Sequence, residues 1–123
     1  MKTTAIPSEA QEQKALFEWA EYAKVVYPEL ELLYATPNGG SRNPIEARHL
    51  KEQGVKPGVP DIFLPVPKNG YHGLWIELKR RKGGRVSEAQ DWFIGRMNEL
   101  GYKATVCKGW DEARKTILEY LKQ

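Results

Sequence analysis

The sequence predicts an α/β domain: a small mixed β-sheet flanked by helices, with elements in the order helix, strand, helix, strand, strand, helix, strand, helix. Three observations predict it. Four stretches read as helices, three of them with caps at their starts and breakers at their ends. Short apolar stretches alternate with them. One Asn-Gly turn joins two of those stretches directly into a hairpin, while helical crossovers connect the rest, and that combination implies a mixed sheet covered by helices.

Each element has a local reason. Ser8 starts the first helix, in which Leu16, Trp19, Ala20, Ala23, Val26 and Tyr27 fall at helical spacing, and Pro28 ends it. LELLYATP (30–37) reads as a short strand closed by Pro37. NGGSRNP (38–44) is a loop in which Asn43 caps the second helix and Pro44 takes its first position. That helix runs to Gln53 and stops at Gly54. KPG (56–58) is a turn. The segment GVPDIFLPVPKNGYHGLWIELKRR (58–81) holds the hairpin, turning at Lys68-Asn69-Gly70. Ser87 caps the third helix, with Gln90 as the return arm of a capping box. This helix carries Trp92, Phe93, Ile94, Met97 and Leu100 and ends at Gly101. YKATVC (102–107) is the last strand, and 110–122 form a final helix through Ala113, Ile117, Leu118 and Leu121.

A chain of 123 residues is expected to form one domain, 1–123, large enough for a core without staples. With 41% hydrophobic and 28% charged residues it reads as soluble and globular. Met1-Lys2-Thr3-Thr4 is followed by no apolar run, so no signal peptide is expected. Nothing approaches about 18 consecutive apolar residues, which excludes a spanning helix. One cysteine, Cys107, excludes an internal disulfide and points to a reducing, intracellular compartment. Cys107 is expected to be a buried small apolar residue. Two isolated histidines and one cysteine argue against structural zinc. The net charge of +3 is only mildly basic, but Lys79, Arg80, Arg81, Lys82 and Arg85 fall within seven residues.

The hairpin carries the chemistry. With Asn69 at its centre, opposed residues have numbers summing to 138, so Asp61 lies opposite Glu77 and Ile62 opposite Ile76. Ile62, Leu64, Val66, Leu74, Ile76 and Leu78 then share the buried face. Asp61, Trp75, Glu77 and Lys79 share the other. Trp75 is expected to pack there under the first helix as a core aromatic. Pro65 and Pro67 cannot donate to a ladder, so pairing near the turn is expected to be irregular. Opposed side chains sit about 4.5–5.5 Å apart, where like charges destabilise, so a positive group belongs between the carboxylates. Two carboxylates suit Mg²⁺ or Mn²⁺, hard ions that take few protein ligands and keep several waters. Lys79 reaches the same space.

Pro60-Asp61 followed by Glu77-Leu78-Lys79 resembles the signature of the PD-(D/E)XK nuclease superfamily. More narrowly the chain is similar to stand-alone VRR-Nuc domains of phages and bacteria, through PNGG (37–40), GVKPGVPDIFLP (54–65), WIELKRRKGGRVSEAQ (75–90) and GYKATVCKGWDEARKTILEYL. The valine-arginine-arginine of the family name is not matched letter for letter; LKRRKGGRV stands in its place. The resemblance implies a restriction-endonuclease-like core and a metal-dependent phosphodiesterase acting on DNA. It implies that Asp61, Glu77 and the Leu78 carbonyl bind the metal, that Lys79 orients and helps deprotonate the attacking water, and that Gln90 lies at the edge of the site. An acidic residue on the first helix completes such sites. Glu12 is expected in that role because it precedes Leu16 and Trp19 by four and seven residues; Glu9 is the competitor.

Arg80, Arg81, Lys82 and Arg85 are expected to grip DNA phosphates, with Asn38 and Arg42 forming a second backbone-contacting loop or a plain connection. Gly83-Gly84 lets the backbone follow the DNA or is an ordinary turn. The resemblance further implies a homodimer acting on branched DNA such as four-way junctions, in the cytoplasm of a bacterial or phage-infected cell. Two other readings compete: a non-catalytic DNA-binding module with the same fold, and a sequence-specific restriction endonuclease.

Overall fold

The computed structural model describes residues 5–37 and 43–122. Asn38 and Arg42 lie outside them. The helices are α1 (Glu9–Ala23), α2 (Pro44–Glu52), α3 (Glu88–Glu99) and α4 (Trp110–Leu121), and the strands β1 (Tyr34–Ala35), β2 (Ile62–Leu64), β3 (Leu74–Lys79) and β4 (Lys103–Lys108). The strands form one sheet in chain order, antiparallel across β1, β2 and β3 and parallel between β3 and β4. The expected mixed sheet is therefore present.

The caps act where the sequence places them. Ser8 and Ser87 each accept from the backbone three residues on, and Gln11 and Gln90 return the bond, closing two capping boxes. Asn43 accepts from Glu46 N–H at the start of α2, with Pro44 at its first position. Gly54 and Gly101 follow α2 and α3 with φ of +95° each, the left-handed exit that glycine permits.

Two boundaries differ from expectation. α1 stops at Ala23, not at Pro28, and Val26 is 72% exposed instead of facing the core. The β-branched pair Val25-Val26 and the restriction on the residue before a proline both disfavour a helical end there. The segment 30–37 is not one strand. Pro28–Leu32 forms a 3-10 turn, and only Tyr34–Ala35 pairs with β2. Leu30 and Leu33, three residues apart, both reach the core, a spacing that suits a turn of three residues and not strand alternation.

The hairpin register is as expected: Ile62↔Ile76, Phe63↔Trp75 and Leu64↔Leu74. The tip turns more tightly than a three-residue loop. Asn69 and Gly70 both have positive φ (47° and 84°), and Lys68 bridges Tyr71. The residue left over by that tighter turn is absorbed between Leu64 and Lys68, where Val66 N–H folds back on Leu64 O at 2.9 Å. Pro65 and Pro67 have no ladder bonds to lose there.

Ile62, Leu64, Leu74, Ile76 and Leu78 are buried beneath Leu16 and Ala20 of α1 and Ala113, Ile117 and Leu121 of α4. Cys107 is buried in the same core. Tyr120 joins it and donates its hydroxyl to Val66 O at 2.6 Å. The opposite sheet face is thinly covered, since no residue of α3 is fully buried and Trp92 is 62% exposed. Trp75 lies on this face, stacked on Phe63 with ring centroids 4.1 Å apart, and not under α1. Among the described residues no helix is long and apolar enough to cross a membrane.

Candidate active site

Asp61 sits one residue before β2, and its position is fixed from three sides. Thr36 N–H donates to Asp61 O at 2.7 Å, and Thr36 Oγ1 donates to Pro60 O at 2.8 Å. The Asp61 side chain then accepts from Leu78 N–H at 2.9 Å. Extending the β2–β3 register by two residues sets Pro60 opposite Leu78. Pro60 has no N–H to offer the Leu78 carbonyl, and a strand residue points its N–H and C=O to the same edge. The ladder therefore ends in a gap where Asp61 and the Leu78 main chain face each other. The proline before the aspartate creates that gap.

Glu77 is 1% exposed and points to the thinly covered face. Gln90 Nε2 donates to Glu77 Oε2 at 3.1 Å while Gln90 Oε1 accepts from Ser87 N–H. The capping box thus holds the Gln90 amide in one orientation, aimed at the carboxylate. Lys79 Nζ lies 3.6 Å from the same oxygen, with its side chain 8% exposed. The second oxygen, Oε1, is buried with no hydrogen-bond partner among the described residues. Burial pushes the Glu77 carboxyl up to about 9, and the Asp61 carboxyl within hydrogen-bond reach pushes the same way; Lys79 only partly opposes them.

Close packing sets α3 against this group. Gly58 has φ +86°, and a Cβ there would lie 2.4 Å from the Ala89 carbonyl carbon. Only glycine fits, so the loop carrying Pro60-Asp61 rests directly on the first turn of α3, next to Gln90. Gly84 packs on the Lys79 side chain, where an added Cβ would meet Lys79 Cβ at 3.1 Å.

Of the residues expected in the site, Asp61, Glu77, Lys79, Gln90 and the Leu78 main chain come together. Glu12 does not join them. It is 1% exposed, but Oε2 accepts from Arg81 Nε at 3.0 Å and Oε1 from Trp110 N–H at 3.1 Å. Its carboxylate caps α4 and ties three elements together. The helical periodicity correctly put Glu12 on the packing face; what it meets there is α4 and Arg81. Glu9, one turn earlier, shares a cleft with Asp61 and Leu78 and adds to the field that raises the Glu77 carboxyl. The pairing with Glu12 also separates Arg81 from its neighbours. Arg80, Lys82 and Arg85 are exposed, and among the described residues they form no ion pair.

Sequence reasoning missed Thr36, which anchors both Pro60 and Asp61, and the cleft residues Gln13 and Phe17. No local pattern marks them; they matter only once α1 and β1 converge.

The donor set can be tested for a metal. Among the described residues no three His, Cys, Asp or Glu side chains gather into a cage. Asp61 and Leu78 line an open cleft, with the buried Glu77 carboxyl behind Asp61, a partial site of the sort Mg²⁺ and Mn²⁺ complete with water. The buried, unpartnered Oε1 of Glu77 beside a second carboxylate is a position that a divalent cation fits.

Fold and site together define a small α/β domain of nuclease-like architecture, with Glu77 and Lys79 at the end of β3 and Asp61 beside them just before β2. The model of the family described as VRR-NUC domain matches residues 5–111, and the chain belongs to that family. A solved structure titled "VRR_NUC domain protein" is similar at 28% identity and a TM-score of 0.83, over 96% of this chain and 91% of the other. No curated protein matches the chain.

Proposed function

We propose that the protein is a metal-dependent DNA endonuclease that hydrolyses phosphodiester bonds at Asp61, Glu77 and Lys79. The observation that carries this reading is the Glu77 carboxylate, buried against Asp61 with one oxygen unpartnered and Lys79 alongside. Asp61, Glu77 and the Leu78 carbonyl would hold Mg²⁺ or Mn²⁺. When bound, such an ion polarises a phosphodiester and lowers the pKa of a coordinated water.

The chain's own residues supply the rest. Lys79 brings a nearly buried positive charge to the acid pair, where it stabilises negative charge developing on the phosphorus oxygens and orients an attacking water. Gln90 holds Glu77 in one rotamer. Glu9 is the acidic residue of α1 that completes the site in this reading, in place of Glu12. Arg80, Lys82 and Arg85 grip flanking phosphates electrostatically, so binding weakens with salt. Among the described residues no helix with an evident base-reading face accompanies them, which favours recognition of DNA shape over sequence. A single site per chain favours a homodimer, whose two-fold symmetry matches a branched substrate such as a four-way junction.

The test is incubation with labelled four-way junction, flap, single-stranded and linear DNA in Mg²⁺ or Mn²⁺, beside chelator and Glu77→Gln controls. Metal-dependent cleavage absent from Glu77→Gln is expected. Cleavage by that variant at the wild-type rate would remove Glu77 from the mechanism. DNA binding without cleavage under every condition would favour the non-catalytic module.

A further inference from the structure

We propose that α2 is a second DNA-backbone contact, whose stripe of Pro44, Ala47, Arg48 and Lys51 lies against phosphates on the β1–β2 side of the acid pair, across from the loop carrying Arg80, Lys82 and Arg85. The proposal rests on the nuclease reading and adds to it an interaction surface outside the acid pair.

The sheet brings both elements to one end. β1 runs into that end and β2 starts from it, because the two pair antiparallel with Ala35 opposite Ile62. β3 arrives at the same end, antiparallel to β2 with Ile76 opposite Ile62. The connection from β1 to β2, which holds α2, and the basic loop after β3 therefore leave the sheet together and flank Asp61 and Glu77. The chain returning from α2 is anchored, since Gly58 rests on Ala89 at the first turn of α3. From Gln53 at the end of α2 to Gly58 the backbone spans at most about 18 Å. The last turn of α2 thus stays within about five nucleotide rises of the segment that carries Asp61.

The domain itself does little to hold α2. Residues 43–57 are exposed apart from the half-buried Leu50, and no residue of the helix is fully buried. Local bonds fix its ends: Asn43 caps the start, and past Gly54 the Val55 N–H closes on Leu50 O at 2.9 Å. A helix this short is marginal in water without packing, so a contact from outside the domain is what its open surface can use. The chemistry of that surface names the partner. Pro44, Ala47, Arg48 and Lys51 fall at i, i+3, i+4 and i+7 and share one stripe. A helix that docks on protein makes such a stripe apolar. Here Pro44 and Ala47 are short, so the two cations stand clear, and among the described residues neither forms an ion pair. Glu46 lies on the other side of the helix, and Glu52, one turn beyond Arg48, is not paired with it. Lys56 adds a third exposed cation on the return. Cations without an amide side chain among them suit phosphates and read no base edge.

The experiment measures DNA binding against salt concentration, by anisotropy in Ca²⁺ with labelled linear and four-way-junction DNA. It compares wild type, the double variant Arg48→Ala with Lys51→Ala, and the control Lys24→Ala with Lys122→Ala. The control removes the same charge just past the far ends of α1 and α4. Loss of two phosphate contacts lowers the slope of log K against log salt by about 2 and weakens binding about tenfold at about 0.1 M salt, on both DNAs. The control changes neither. An unchanged slope in the α2 variant, or an equal loss in the control, overturns the proposal. So does conversion of a dimer to a monomer in sedimentation with no change of slope, which would make α2 a contact between subunits. If the slope falls as expected but wild type cleaves nothing in Mg²⁺ or Mn²⁺, the nuclease reading fails while the DNA contact stands.

Discussion

Replacing Glu77 with glutamine should make the metal-free protein more stable, and the gain should grow with pH. The Glu77 carboxyl, ordinarily titrating at 4.5, is pushed up to about 9 by burial and by Asp61. Between those values the folded state holds a proton that the unfolded chain has released. Folding stability is therefore fully present below the unfolded value and falls as pH rises toward 9, by up to about 1.4 kcal/mol per unit. By pH 7 the accumulated loss is about 3 kcal/mol. Glu77→Gln keeps the shape and an acceptor for Gln90 Nε2 but carries no titrating proton. In chelator it should match wild type near pH 4.5 and exceed it by about 3 kcal/mol at pH 7, roughly 10 °C in Tm for a domain of this size. Thermal unfolding followed by circular dichroism across that range reads the difference directly. A variant less stable than wild type at pH 7, or a gap that does not widen with pH, would refute the claim that Glu77 is held against its charge.

Further expectations follow from the same geometry. Saturating Mn²⁺, at about a hundred times its Kd, should stabilise wild type by about 2.7 kcal/mol and leave Glu77→Gln unchanged, measured by the same melts. Lys79→Ala should lower the cleavage rate by about 10²–10³-fold while DNA affinity, measured by anisotropy, changes little. Gly58→Ala should destabilise by about 3 kcal/mol in urea unfolding, because its Cβ overlaps the Ala89 backbone at a left-handed φ. Glu12→Ala should cost about 2 kcal/mol, chiefly the lost cap on Trp110 N–H, since Arg81 is half-exposed and its ion pair is screened. Unchanged Mn²⁺ affinity in that variant would support a purely architectural Glu12.

What the sequence showed and hid follows from the range of each interaction. Caps such as Ser8, Asn43 and Ser87 act within three residues, so they were legible. The hairpin register was legible because the alternation of Ile62, Leu64, Leu74 and Ile76 permits one parity, and that parity alone brings Asp61 toward Glu77. LELLYATP misled because two leucines three residues apart satisfy a core equally from a tight turn. Glu12 misled for a related reason: helical periodicity tells which face of α1 is inward but not which neighbour waits there. Its partners, Arg81 and Trp110, are 69 and 98 residues away. Thr36 and Gln13 carry no local mark at all. They gain a role only where β1 and α1 meet the end of β2.

Anomalous diffraction from a crystal soaked in Mn²⁺ tests the central claim most directly. One peak between the Asp61 and Glu77 carboxylates and the Leu78 carbonyl, at roughly the 2.1 Å spacing that Mg²⁺ also takes, is the predicted result. A peak elsewhere at full occupancy, with none between the two carboxylates, would contradict it.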